Sequence, residues 1–165
     1  MFTLHCTKKL LDRIHPKVES QTQATTGLGN WYATALFWKP QMALLVNERT
    51  LLPVMMPLAP SATLAQRFPA ALKGVLQALD LPAAFIDAEI EGMNDVVYAK
   101  TSNRSVVGMM NEFSFLADAF RDRGGLVDPL ALSLNLAHVP CGPLSKGAVF
   151  PDRAVRELVA GGDLH

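Results

Sequence analysis

Between Gly27 and Pro57 the chain carries three apolar, β-favouring runs separated by breaks too short to be anything but turns. Trp31 to Trp38 is the first run, Met42 to Val46 the second and Leu51 to Met56 the third. Lys39-Pro40-Gln41 makes the first break, because proline fixes φ and removes a backbone donor. Asn47-Glu48-Arg49-Thr50 makes the second, a charged interruption of loop length. Such short connections favour antiparallel neighbours, so the spacing predicts a β-meander. Runs this apolar need cover on both faces, and amphipathic helices elsewhere can supply it. The expectation is an α+β fold, an antiparallel meander sheet packed by several helices, in a single domain over residues 1–165.

Residues around 16–28, rich in Ser, Thr and Gln, read as a mobile loop. Before them, Phe2 to Cys6 alternates as a short strand does, and Leu10, Leu11 and Ile14 share one helical face that stops at His15-Pro16. After the meander, Leu64, Phe68, Leu72, Val75, Leu76 and Leu79 recur at helical spacing. Pro69 predicts a kink there, or a restart. Asp80 and Pro82 open a second helix with Phe85, Ile86, Ile90 and Met93 on its buried side. Val96 to Lys100 is β-branched and reads as a strand whose place in the sheet stays open. Ser102 or Asn103 then caps the best-patterned helix, which carries Val106, Met110, Phe113, Ala117 and Phe120 on one face and ends at Gly124-Gly125. The segment 125–165 is harder to assign. Leu130, Leu132, Leu134 and Leu136 alternate as in a strand, while Asp128-Pro129 in front looks like a helix start, and both readings stand. Pro140-Cys141-Gly142-Pro143 is a rigid turn, and Pro151-Asp152 opens a short last helix expected to reach Val159 and fray at Gly161-Gly162.

Hydrophobic residues make up 50% of the chain and charged residues only 18%, against about 25% in typical soluble proteins. Scarce charge predicts that some apolar surface is hidden in a partner, most simply a homodimer. Fifteen basic and fifteen acidic residues cancel without like-charge runs, which disfavours a nucleic-acid partner. No apolar stretch is long enough for a membrane span, and Met1 to Ile14 lacks the pattern of an export leader. Cys6 and Cys141 show no ligand spacing and are expected to be free thiols in a cytoplasmic protein.

Few residues announce chemistry. Thr101-Ser102-Asn103-Arg104-Ser105 brings hydroxyls, a guanidinium and a helix N-terminus together, a combination suited to a small anionic ligand; ordinary capping explains the same residues. Arg104, Gly108 and Asn111 then fall on one helix face, and Gly108 leaves a gap where a ligand or protein partner could approach. Asn47, Glu48 and Arg49 form a second polar cluster, which as a turn needs no function. Asn30-Trp31-Tyr32 could offer a stacking surface but fits the core better. The glycine-rich, zinc and nucleophile-elbow signatures are missing, and His5, His15, His138 and His165 are scattered, so no cofactor and no metal site is expected. A Cys–His pair made by folding, Cys141 with His5 or His138, is a minor alternative.

Three stretches, Leu28-Gly29-Asn30-Trp31-Tyr32-Ala33, Val46-Asn47-Glu48-Arg49-Thr50-Leu51 and Arg104-Ser105-Val106-Val107-Gly108-Met109-Met110-Asn111, resemble a bacterial family known only as a domain of unknown function. Lys100-Thr101 and Pro140-Cys141-Gly142-Pro143 echo it as well. The family usually has an acidic residue where this chain has Asn30 and where it has Glu112, so Asn30 departs from the pattern. The resemblance implies a bacterial cytosolic protein and supplies no reaction. The expectation is a binding or interaction protein, homodimeric, with a site among Asn47, Glu48, Arg49, Thr101, Arg104, Ser105, Gly108 and Asn111. The alternative is a small-molecule enzyme that holds an anionic substrate at the Arg104 helix N-terminus, with Asn47, Glu48 or a histidine moving protons.

Overall fold

The apolar runs form strands β2 (Trp31–Leu36), β3 (Met42–Asn47) and β4 (Pro53–Pro57), which pair antiparallel in sequence order. The computed structural model, which describes residues 1–125 and 127–162, adds β1 (Phe2–Cys6) and β5 (Val96–Lys100). Both pair in parallel: β1 lies beside β2, and β5 lies beside β1, so the five strands run in the order β4-β3-β2-β1-β5. The fold is α+β, but the sheet is mixed rather than the purely antiparallel one expected. The cause is connection length. Parallel neighbours need a crossover, and helices lie in both of the long segments that lead to these pairings.

Side chains alternate across this sheet into two separate cores. Phe2, Leu4, Cys6, Trp31, Ala33 and Leu45 point to one face. There they meet α1 (Lys8–Ile14), α2 (Leu64–Ala78), α3 (Ala83–Glu91) and α6 (Pro151–Gly162). Tyr32, Leu36, Leu44, Val46 and Met55 point to the other face, which α4 (Arg104–Gly124) covers with Val106, Met109, Met110, Phe113 and Ala117. Helix α5 (Pro129–Ala137) lies against β4. Leu132 and Leu136 of α5 pack on the α4 side, while Ala137 joins the opposite core.

Two local readings left open by the sequence are decided. Of the kink or restart expected at Pro69, the restart does not occur; α2 runs through the proline after a 3-10 turn at Ser61–Thr63. Its ring sits in the second turn, and the buried Leu64, Phe68, Leu72 and Leu76 stabilise the helix against that single lost hydrogen bond. The alternating leucines form helix, because Asp128 caps it (Oδ2 accepts the Ala131 N–H at 2.9 Å) and Pro129 fits the first turn. The last helix continues past Val159 to Gly162. The polar segment before β2 has little regular structure but is tied along the sheet: the Glu19 N–H donates to the Tyr98 carbonyl at 2.8 Å and the Thr25 N–H to that of Met1 at 2.9 Å.

Candidate functional site

Asn47 is fully buried at the end of β3, and its side chain is wholly engaged inside the protein. Nδ2 donates to the carbonyls of Leu28 (2.9 Å) and Asn30 (3.3 Å). Oδ1 accepts from the backbone N–H groups of Arg49 and Thr50 and from the Thr50 hydroxyl. Arg49 is exposed, and its guanidinium donates to the Gly27 carbonyl at 3.1 Å. The Arg49 stem lies 3.3 Å from where a Cβ would stand on Gly29, whose φ of +79° already excludes most side chains. The turn between β3 and β4 therefore clamps the Gly27–Asn30 segment. Asn47 and Arg49 act here as structural clasps, and Glu48 is half-buried, its backbone N–H donating to Asn30 O.

Glu89 of α3, which the sequence reading passed over, closes the same knot from the other side. It is buried, and its carboxylate accepts the N–H groups of Gly27 (2.8 Å) and Leu28 (3.2 Å). Burial pushes its pKa up, and the two backbone donors only partly offset that. The signal available in the sequence was spacing: Glu89 shares a helix face with Ile86 and Met93.

A second polar group joins β1, β2 and the start of α4. The Asn103 side chain caps α4, accepting from the N–H groups of Ser105 and Val106. The Tyr32 hydroxyl accepts the Asn103 N–H at 3.0 Å and lies 3.2 Å from Ser102 Oγ, which anchors that helix end to the sheet. His5 stacks on the Tyr32 ring at 4.4 Å between centroids. Its Nδ1 donates to the Lys100 carbonyl at 2.8 Å, since a carbonyl can only accept. That leaves the buried Nε2 without a partner among the described residues. Trp31 and Tyr32 are both core, not a stacking platform.

Arg104, Ser105, Gly108 and Asn111 all lie on the solvent side of α4 and are exposed. Among the described residues, no side-chain hydrogen bond or ion pair reaches Arg104 or Asn111. A Cβ on Gly108 would meet nothing within 4 Å. The strip continues through Phe115, which is 74% exposed, to Asp118 and Asp122. The polar turn of Asn47, Glu48 and Arg49 is engaged with the Gly27–Asn30 segment, apart from this strip. Thr101 is half-buried at the end of β5.

The remaining candidates are structural. Cys6 and Cys141 are free, buried and in opposite cores, so they cannot bridge. Burial raises the Cys6 thiol to about 12; burial, aided by Glu112, does the same for Cys141. Cys141 donates to the Val139 carbonyl, whereas His138 faces Leu134 O and Asp152, so the Cys–His pairs are not formed. Among the described residues no group of three or more His, Cys, Asp or Glu is placed to hold a metal ion, and no helix is long and apolar enough to cross a membrane.

The family described as Domain of unknown function (DUF6933) matches residues 3–154 of the chain. The chain belongs to this family. No curated protein and no solved structure matches it. In this DUF6933 member the stretches Leu28–Ala33 and Val46–Leu51 are bound to each other by Asn47 and Arg49. The stretch Arg104–Asn111 is different. Its Val106, Met109 and Met110 serve the core, and on its other face Arg104, Gly108 and Asn111 are exposed, with no side-chain partner among the described residues.

Proposed function

We propose that the protein is a small binding and interaction protein whose working surface is the outer strip of α4, and that it works as a homodimer. One observation carries this reading: Arg104, Gly108 and Asn111 align on an exposed helix face with no intramolecular partner among the described residues. A glycine inside an exposed helix costs about 1 kcal/mol relative to alanine, and Gly108 relieves no crowding in the monomer that would offset it. Close approach by another molecule is the use that remains. Two free, buried thiols support a reducing, cytoplasmic setting.

The enzyme reading draws its support from the unpartnered Nε2 of His5 beneath the start of α4. Against it, Asn103 already occupies the Ser105 and Val106 N–H groups that an anion would need. Native mass spectrometry of the protein purified from its host separates the two. A dimer, or a heavier complex with another protein, supports the interaction reading. A monomer holding a small anion that Arg104→Ala loses overturns it.

A further inference from the structure

Resting on that reading of α4, we infer that the strip is covered by the same strip of a second copy, packed antiparallel about a two-fold axis beside Asn111. The spacing makes the strip complementary to itself. Arg104, Asn111 and Asp118 recur every seven residues along one column, and Gly108, Phe115 and Asp122 along the next. Seven-residue columns on one face are the seam by which two helices pack lengthwise.

Phe115 is the large apolar group on this seam, at 74% exposure, and Gly108 is the position with open space where a side chain would be. The two lie about 10 Å apart along the axis, from the rise of an α-helix. A two-fold axis midway between them seats each Phe115 in the gap at the partner's Gly108, making both contacts in one operation. A parallel arrangement would instead set Phe115 against Phe115 and Gly108 against Gly108, leaving the gaps unfilled.

Charge agrees with the same operation. Arg104, exposed and without an ion pair among the described residues, stands near one end of the seam. Asp118 and Asp122 stand at the other, flanking Arg121 at 3.0 and 3.6 Å. With Arg123 in the same turn the formal charges balance, and what remains for Arg104 is the exposed Asp118 carboxylate and the carbonyl end of the helix dipole. The antiparallel copy brings Arg104 beside the Asp118 of the second copy and sets the two helix dipoles head to tail. Asn111 meets its own copy, and a primary amide both donates and accepts across a two-fold axis.

Sedimentation and cysteine cross-linking test this arrangement directly. The wild-type chain is expected to sediment as a dimer at micromolar concentration. Phe115→Ala and Gly108→Leu should each raise the dimer dissociation constant at least about tenfold, the loss expected when an aromatic anchor or its pocket is removed. Neither change should lower the thermal stability of the monomer. Under oxidation Asn111→Cys should link to itself, and an Arg104→Cys chain to an Asp118→Cys chain, while Arg104→Cys alone should not. Self-linking of Arg104→Cys, or a dimer indifferent to both seam variants, would overturn the antiparallel seam. A wild-type monomer would overturn it too. In that case the strip reading survives only if Phe115→Ala also loses a protein that the wild type retains on purification.

Discussion

The Glu89 carboxylate accepts the Gly27 N–H at 2.8 Å across 62 residues of sequence, from inside the core. Its pKa is raised from the ordinary 4.5, because the burial that disfavours the anion outweighs the two backbone donors that favour it. The folded protein therefore holds this proton more tightly than the unfolded chain does. The stabilising contribution is complete below the unfolded value and is lost as pH rises through the folded one. Urea unfolding across a pH series should show the wild type losing stability relative to Glu89→Gln as pH climbs above 4.5. A pH-independent difference would mean that Glu89 titrates as it does in the unfolded chain. Glu89→Ala, which leaves the Gly27 and Leu28 N–H groups unpaired, should be less stable by about 1–3 kcal/mol or more.

Asn47 makes five hydrogen bonds through its buried side chain, so its removal is costly. Substitution by alanine orphans the buried Leu28 carbonyl and the Thr50 N–H together, and it frees the Gly27–Asn30 segment from the turn. The expected loss is about 3 kcal/mol or more by chemical denaturation, at the scale of several unsatisfied buried groups. If Asn47→Ala were to unfold like the wild type, water must replace these bonds.

Tyr32→Phe isolates the anchor of α4. The ring keeps its stack on His5, but the Asn103 N–H and Ser102 Oγ lose a common partner. A destabilisation of about 1 kcal/mol is expected, with hydrogen exchange faster in the first turn of α4 than in its last. Uniform exchange along the helix would place the anchor elsewhere.

The thiols should be inert in the folded state. With both pKa values at about 12, almost no thiolate exists at neutral pH, and both groups are buried. A thiol reagent should modify neither cysteine before unfolding and both afterwards. Stoichiometric labelling of the native protein would contradict this.

The meander was legible because its evidence is local: three apolar runs, two short breaks and a proline. The same holds for α4, whose Asn103 cap and Gly125 stop stand at its two ends, Gly125 in the left-handed conformation at φ 65°. Parallel pairing leaves no comparable trace. Nothing near Phe2 announces Val96 as its neighbour, because the crossover between them is made of ordinary helices. The leucines at 130–136 were ambiguous by period and were decided by Asp128, one cap outvoting four alternations. At the candidate site, the alignment of Arg104, Gly108 and Asn111 could be read from helix geometry alone. The buried roles of Glu89, His5 and Asn47 could not, since a polar residue's burial depends on what distant segments bring to it.

Because β1 stands between two parallel neighbours, synthesis and folding run on different clocks. The second strand of the chain to pair with β1 can do so only when residues 96–100 have been made, long after Phe2–Cys6. Until then a nascent chain carries the backbone edge of Phe2, Leu4 and Cys6, the one that faces β5, bare, which is a template for pairing with another chain. Truncations that end before Val96 should therefore aggregate rather than fold, and complete chains should fold at the pace of distant contacts. Strand β1 is thus the first of the five to be made and the last to have both of its edges paired.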